Sequence, residues 1–318
     1  MASKPKQLLT ELSHPGPHEV LRGNLALVGL PGIVFTPRSG LGLPAIAFGH
    51  GWLQPTGRYR QLLHHLASWG VVAAAPATQR GPLPSHRLLA SDLLTTLDVI
   101  TTVRLGPDGI SVDPEKLGLA GHSTGGGSAV LAAGTSAAAA GVSGSAATGS
   151  GARSGKAGSG KAGSGTASGT ALAGSATDAE LLGRTYPRIG AVATITAAQT
   201  FPPATEAAKL ITAPGLHLAA EEDLVAPAVG HAEAIANAWA GPVQLRTLGK
   251  SSHLGVTEGR HWSQLLLHGK PHRRTQQLTR ALFTAFFLTH LTGTDKYLPL
   301  LESDVKRAPI DLPEAPAA

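Results

Sequence analysis

From Leu21 to Val103, short apolar runs alternate with stretches in which apolar residues recur every three or four positions. The first pattern predicts buried strands and the second amphipathic helices, and their alternation predicts strand-helix-strand units around a mostly parallel sheet. Residues 21–28 and 32–36 predict a leading antiparallel hairpin, 44–48 (PAIAF) a buried strand, and 58–69 a helix with Leu62, Leu63 and Leu66 inward. Residues 71–75 (VVAAA) predict the next strand, and 88–103 a helix whose Leu89, Leu93, Leu97 and Ile100 share one face. After a strand at 117–120, the alternation stops near Gly141 and resumes with strands at 189–195, 215–219 and 243–248. A helix is expected at 230–240, a long apolar one at 275–291 closes the domain, and the Pro-rich 308–318 reads as a loose tail.

Between Gly141 and Thr177 the only apolar residues larger than alanine are Val142 and Leu172, and SGKAG repeats in tandem. Such a composition buries too little surface to offset its ordering entropy. Residues 1–140 and 184–318 therefore read as one α/β domain, with 141–183 a low-complexity, disordered Gly/Ser/Ala insertion that closes at little entropic cost.

Composition narrows the function classes. The net charge is +6, but only 14% of the 318 residues are charged and 4% are aromatic, and the densest basic cluster (Lys270, His272, Arg273, Arg274) has no interleaved aromatic platform. Nucleic-acid binding is not expected. No apolar run reaches the ~18 residues of a membrane span, and the leading MASKPKQLLTELSHPGPHEV lacks the apolar core of a signal peptide. The expectation is a soluble, cytoplasmic protein without a membrane span. With no cysteine, disulfides and thiolate chemistry are excluded.

The chemistry-bearing stretch is LGLAGHSTGGG, residues 117–127. An apolar strand, then Gly-His-Ser-Thr-Gly, then a small-residue helix start has the layout of a nucleophile elbow, which lifts the Ser123 hydroxyl clear of the sheet. Gly121 and Gly125 flank it where strand and helix approach too closely for a Cβ. A serine nucleophile needs a histidine to take its proton and a carboxylate to orient that histidine, here in the order Ser, acid, His, each after a strand. Glu221, Glu222 and Asp223 all follow the strand at 215–219; Asp223 is the candidate acid because it adjoins Leu-Val-Ala-Pro, while the two glutamates are expected to face solvent. His253, in GKSSH directly after the strand at 243–248, is the candidate base among fourteen histidines.

The segment His50-Gly51-Trp52 follows a strand where an oxyanion hole draws one backbone donor, so the N–H groups of Trp52 and Thr124 are the candidates. His50, Gln54, His122 and Leu254 are candidate pocket residues. Gly249-Lys250-Ser251 imitates a phosphate loop, but Gln244 stands where its first glycine belongs.

In FGHGW, LASWGVVAAAPAT, LAGHSTGGGSAV, EEDLVAP and GKSSHLG the chain resembles the α/β-hydrolase superfamily, and within it the branch of polyester hydrolases, cutinase-like lipases and chlorophyllase-like esterases. The resemblance implies an eight-stranded sheet, Ser123, Asp223 and His253 as a triad, Trp52 and Thr124 as oxyanion donors, and hydrolysis of carboxylic esters through an acyl-enzyme. It departs from secreted polyester hydrolases in lacking a signal peptide and a disulfide, and from dienelactone hydrolases in having serine at the nucleophile. About 18 residues separate Ile195 from Pro214, too few for a large cap, so an open site is expected. The reading is a serine carboxylesterase for small-molecule esters of short to medium acyl length, with no cofactor or metal. Acyl transfer with the same triad, or a non-catalytic ligand-binding protein of this fold, are the alternatives.

Overall fold

The structure is a computed structural model that describes residues 4–148, 186–267 and 269–312. A single nine-stranded sheet runs in the order β1-β2-β4-β3-β5-β6-β7-β8-β9. Its strands are β1 (Val20–Asn24), β2 (Gly32–Pro37), β3 (Leu43–Gly49), β4 (Val72–Pro76), β5 (Val112–His122), β6 (Ala191–Ile195), β7 (Gly215–Ala220), β8 (Val243–Leu248) and β9 (Ile310–Leu312). The six strands from β4 to β8 in this order are parallel, while β1, β2 and β9 pair antiparallel. Helices α1 (Pro5–Leu12), α2 (Arg60–Ser68), α3 (His86–Thr102), α4 (Thr124–Thr148), α5 (Ala204–Ala208), α6 (Ala232–Asn237), α7 (Arg273–Thr292) and α8 (Leu298–Leu301) accompany the sheet.

Because successive strand residues point to opposite faces, each central strand supplies two cores. Ile46 and Phe48 of β3 pack with Leu63 and Leu66 of α2 and with Phe283 and Phe287 of α7. Ala45 and Ala47 join Leu93 and Leu97 of α3 and Val130 of α4 on the other face. Burying each such Leu or Phe contributes ~1.5–3 kcal/mol. Strands covered on both faces read as continuous apolar runs, which is why PAIAF and VVAAA were visible in the sequence. The parallel order leaves the carboxyl ends of β3 to β8 along one edge, where the connecting loops gather.

Several expectations are corrected. The sheet has nine strands rather than eight, because residues 310–312, expected in a loose tail, pair with β8. The cause is Arg246: its guanidinium is wholly buried and donates to the carbonyls of Leu301, Ser303 and Ala308, pinning the returning chain to β8. Helix α4 continues to Thr148, past the predicted start of the insertion, as a segment rich in alanine, the strongest helix former, can do. The rest of the predicted insertion, 149–183, lies outside the described residues. The helix expected at 230–240 is shorter, Ala232–Asn237, and the short α1, α5 and α8 were not anticipated. Among the described residues no helix is long and apolar enough to cross a membrane.

Candidate active site

Strand β5 ends at His122 and α4 begins at Thr124, so the whole reversal falls on Ser123, which is held at φ 57°. A non-glycine residue in that left-handed region costs on the order of 1–3 kcal/mol and persists only where its surroundings enforce it. Here the Ser123 N–H donates to the Ile195 carbonyl at the end of β6 (3.1 Å), and its own carbonyl accepts from Ala198 (3.0 Å) and Gly127 (3.1 Å). A Cβ on Gly121 would run into the Gly125 backbone, and one on Gly125 into Gly49 and His50. Glycine at 121 and 125 is therefore the condition for β3, β5 and α4 to meet at the elbow.

The loops after β7 and β8 bring Asp223 and His253 to the serine. Ser123 Oγ lies 2.8 Å from His253 Nε2, and His253 Nδ1 lies 2.8 Å from Asp223 Oδ2. Asp223 Oδ1 accepts the N–H groups of Val225 (2.9 Å) and Ala226 (2.8 Å), so the carboxylate is oriented from both oxygens. Burial pushes its pKa up, but the hydrogen bond from His253, the charge of that ring and the two backbone donors prevail and hold it below the usual carboxylate range. The adjoining Leu-Val-Ala-Pro works through these amides, not by burying the acid under side chains, since Leu224 is exposed. Glu221 and Glu222 are exposed, and Glu221 instead accepts the Lys250 N–H (2.6 Å).

A second set of bonds ties this chain of groups to the loop after β3. The Gly51 N–H donates to the Tyr59 hydroxyl (3.1 Å), which donates to His122 Nδ1 (2.8 Å), and His122 Nε2–H donates to the His253 carbonyl (2.9 Å). Burial, and then the nearby charge of His253, lower the His122 pKa to about 3, so the ring is neutral and can accept at one nitrogen while donating at the other. Arg58, also buried, donates to Gln54 Oε1 and to the carbonyls of Glu258 (2.9 Å) and Gly259 (3.1 Å). Neither Tyr59 nor Arg58 was singled out in the sequence; both sit in a stretch whose only local signal is a helix start.

A Cβ on Gly51 would fall 3.2 Å from Ser123 Cβ, so the loop carrying Trp52 passes directly beside the serine. Among the described residues, the backbone N–H groups of Trp52 and Thr124 have no acceptor. The four pocket candidates are buried. His50 lies against the Gly51 and Thr78 carbonyls, Gln54 donates to Ser263 Oγ (2.8 Å), and Leu254 is fully enclosed. With His122 they form the layer behind the site and leave little of their own surface for a ligand.

The β6–β7 connection holds only α5, with no large cap, and at the floor of the site Ser123 is 4% exposed and His253 1%. The loops close on one another in a circuit: Trp52 Nε1 donates to Pro82 (3.0 Å), Phe201 N to His86 (3.1 Å), Gln199 N to His231 (3.0 Å), Glu222 N to Ser251 (2.8 Å), and Gln54 back to Ser263. This circuit carries the exposed side chains of Leu83, Phe201, Leu224, Val229, Trp262 and Leu265. Among the described residues no cluster of His, Asp and Glu is arranged to hold a metal ion.

The chlorophyllase family model matches residues 24–150, a stretch that contains Trp52, Ser123 and Thr124 and ends before Asp223 and His253. No curated protein matches the chain. The matched stretch supports an esterase-type hydrolase, and the mostly parallel nine-stranded sheet flanked by helices has the architecture of an α/β-hydrolase fold.

Proposed function

We propose that the protein is a serine carboxylesterase. The observation that carries this reading is the unbroken series of buried bonds from Ser123 through His253 to Asp223, at 2.8 Å for each link. In the reaction, Ser123 Oγ attacks the ester carbonyl carbon while its proton passes to His253 Nε2. Asp223 stabilises the imidazolium so formed. The carbonyl oxygen becomes an oxyanion and accepts the N–H groups of Trp52 and Thr124, each typically worth ~3 kcal/mol in the transition state. Collapse expels the alcohol, which takes its proton from His253, and leaves an acyl-Ser123. Water then enters by the same base and releases the acid, regenerating the hydroxyl.

The apolar side chains on the surrounding loops support an apolar ester as substrate, because a bound acyl or alkyl chain would cover surface that is otherwise left to water. Each methylene so buried is worth ~0.8 kcal/mol, about fourfold in kcat/KM. A series of p-nitrophenyl esters should therefore show kcat/KM rising from acetate through butyrate to hexanoate. A flat or falling series would remove the apolar assignment. Ser123→Ala should lower kcat by on the order of 10⁴ or more and abolish labelling by a fluorophosphonate probe, with the fold intact. Undiminished turnover in that variant would overturn the reading.

A further inference from the structure

Away from the elbow, where α1 and α2 pack beside β1, β2 and α7, a cavity of about 500 Å³ opens. Arg22 of β1, Arg60 of α2 and Arg280 of α7 all line it, together with His64 and His65. A neighbouring cavity of about 580 Å³ shares Ser13, Gln61 and Arg280 with the first and adds His14 and Arg273. The two make one cleft with four guanidinium groups on its walls and no carboxylate.

These cations are not neutralised by the protein. Among the described residues Arg22, Arg60 and Arg273 take part in no ion pair, and Arg280 donates only to the amide of Gln61 (3.1 Å). The acids carried nearby are engaged elsewhere: Glu11 with Lys296, Glu19 with Arg38. Glu258, whose charge interacts with Arg60 and Arg280, accepts the Gln61 N–H and is pushed by burial up to about 7, so it offers only partial countercharge at neutral pH. Arg280 Nε is buried without a hydrogen-bond partner, and so is Nε2 of the buried His65. A buried guanidinium N–H without a partner, as at Arg280 Nε, is costly unless something supplies an acceptor.

We infer that this cleft binds a small anion of the phosphate-ester kind. A tetrahedral phosphate presents several charged oxygens at once, which the planar forks of neighbouring arginines can each engage through two donors, and a concave wall of a single sign concentrates the field on it. The volume lies in the range of small-ligand sites. The phosphate can be that of a soluble metabolite or of an anionic phospholipid headgroup, and the site is independent of the esterase reading.

Calorimetric titration of the full chain with sodium pyrophosphate at low ionic strength tests it, alongside co-sedimentation with phosphatidylcholine vesicles with and without phosphatidic acid. Pyrophosphate should bind at one saturable site. The double variant Arg60→Glu, Arg273→Glu should weaken it by about tenfold or more, while Arg38→Glu, elsewhere on the surface, leaves it within about twofold. The milder Arg60→Gln, with circular dichroism to verify folding, should lose part of the affinity. Sedimentation with phosphatidic acid vesicles that the double variant loses assigns the headgroup as the source; pyrophosphate binding without sedimentation assigns a soluble ligand. Binding that does not saturate, or that Arg38→Glu weakens as much as the double variant does, would overturn the inference. So would a duplex oligonucleotide that binds more tightly than pyrophosphate through the same arginines. Turnover of p-nitrophenyl butyrate is expected to be unchanged in all these variants, so failure of this site leaves the esterase reading untouched, and the reverse.

Discussion

Tyr59→Phe isolates the contribution of one hydroxyl that joins the two halves of the candidate site. The ring is fully buried and packs on Phe48 at 4.8 Å, and phenylalanine keeps that packing. What disappears is an acceptor for the Gly51 N–H at 3.1 Å and a donor to His122 Nδ1 at 2.8 Å. Each group left buried and unpaired costs ~1–3 kcal/mol, so the two together should cost about 2–6 kcal/mol of folding stability, a large share of the ~5–15 kcal/mol typical of a domain. The same change frees the residue before Trp52 and loosens the tie that holds the His253 backbone through His122. A donor that acts on the developing oxyanion affects kcat more than KM, so kcat should fall by about tenfold or more with KM within about threefold. Urea unfolding and steady-state kinetics on a p-nitrophenyl ester measure both. A stability change below ~0.5 kcal/mol would refute the bookkeeping of orphaned groups. A clear loss of stability with kcat unchanged would show that the hydroxyl supports the fold and not the geometry of the reaction.

Three further outcomes follow from buried polar groups. Burial holds His65 to a pKa of about 4 and His122 and His217 to about 3, so the unfolded chain binds protons below pH ~6.5 that the folded chain refuses. Stability should therefore fall with pH by ~1 kcal/mol per histidine between pH 6.5 and 5.5, ~3 kcal/mol in all, and denaturation curves of equal midpoint at the two values would contradict it. Asp223 acts in the same sense at lower pH: its depressed pKa contributes stability that is present above ~3.9 and lost as pH drops through the folded value, and Asp223→Asn should flatten that part of the profile. Arg246→Met leaves the carbonyls of Ser303 and Ala308 and the side-chain carbonyl of Gln244 without their donor, at ~1–3 kcal/mol for each buried group left unpaired, measured by thermal or chemical denaturation. Hydrogen exchange in that variant should speed up first in residues 310–312, and protection retained there would show that β9 does not depend on Arg246.

The elements that could be read from the chain are those whose signal is local. Strands covered on both faces need unbroken apolar runs, α3 needs its leucines three and four apart, and the elbow needs glycine on both sides of Ser123, because each requirement acts within a few residues. Asp223 and His253 could be singled out as residues following strands, but the 2.8 Å contacts that join them to a serine 100 and 130 positions away depend on the order of strands in the sheet. Tyr59, Arg58 and Arg246 had no local signature at all. A tyrosine at a helix start and an arginine within a strand look like ordinary surface positions until packing encloses them and leaves particular carbonyls and ring nitrogens as their only partners. The same holds for the cleft of Arg22, Arg60, Arg273 and Arg280, which come from a strand and two helices spread over most of the chain. Periodicity and backbone sterics are properties of neighbours along the polypeptide and are written in the sequence itself. Pairing of buried polar groups is a property of neighbours in space, so only the assembled tertiary structure decided it.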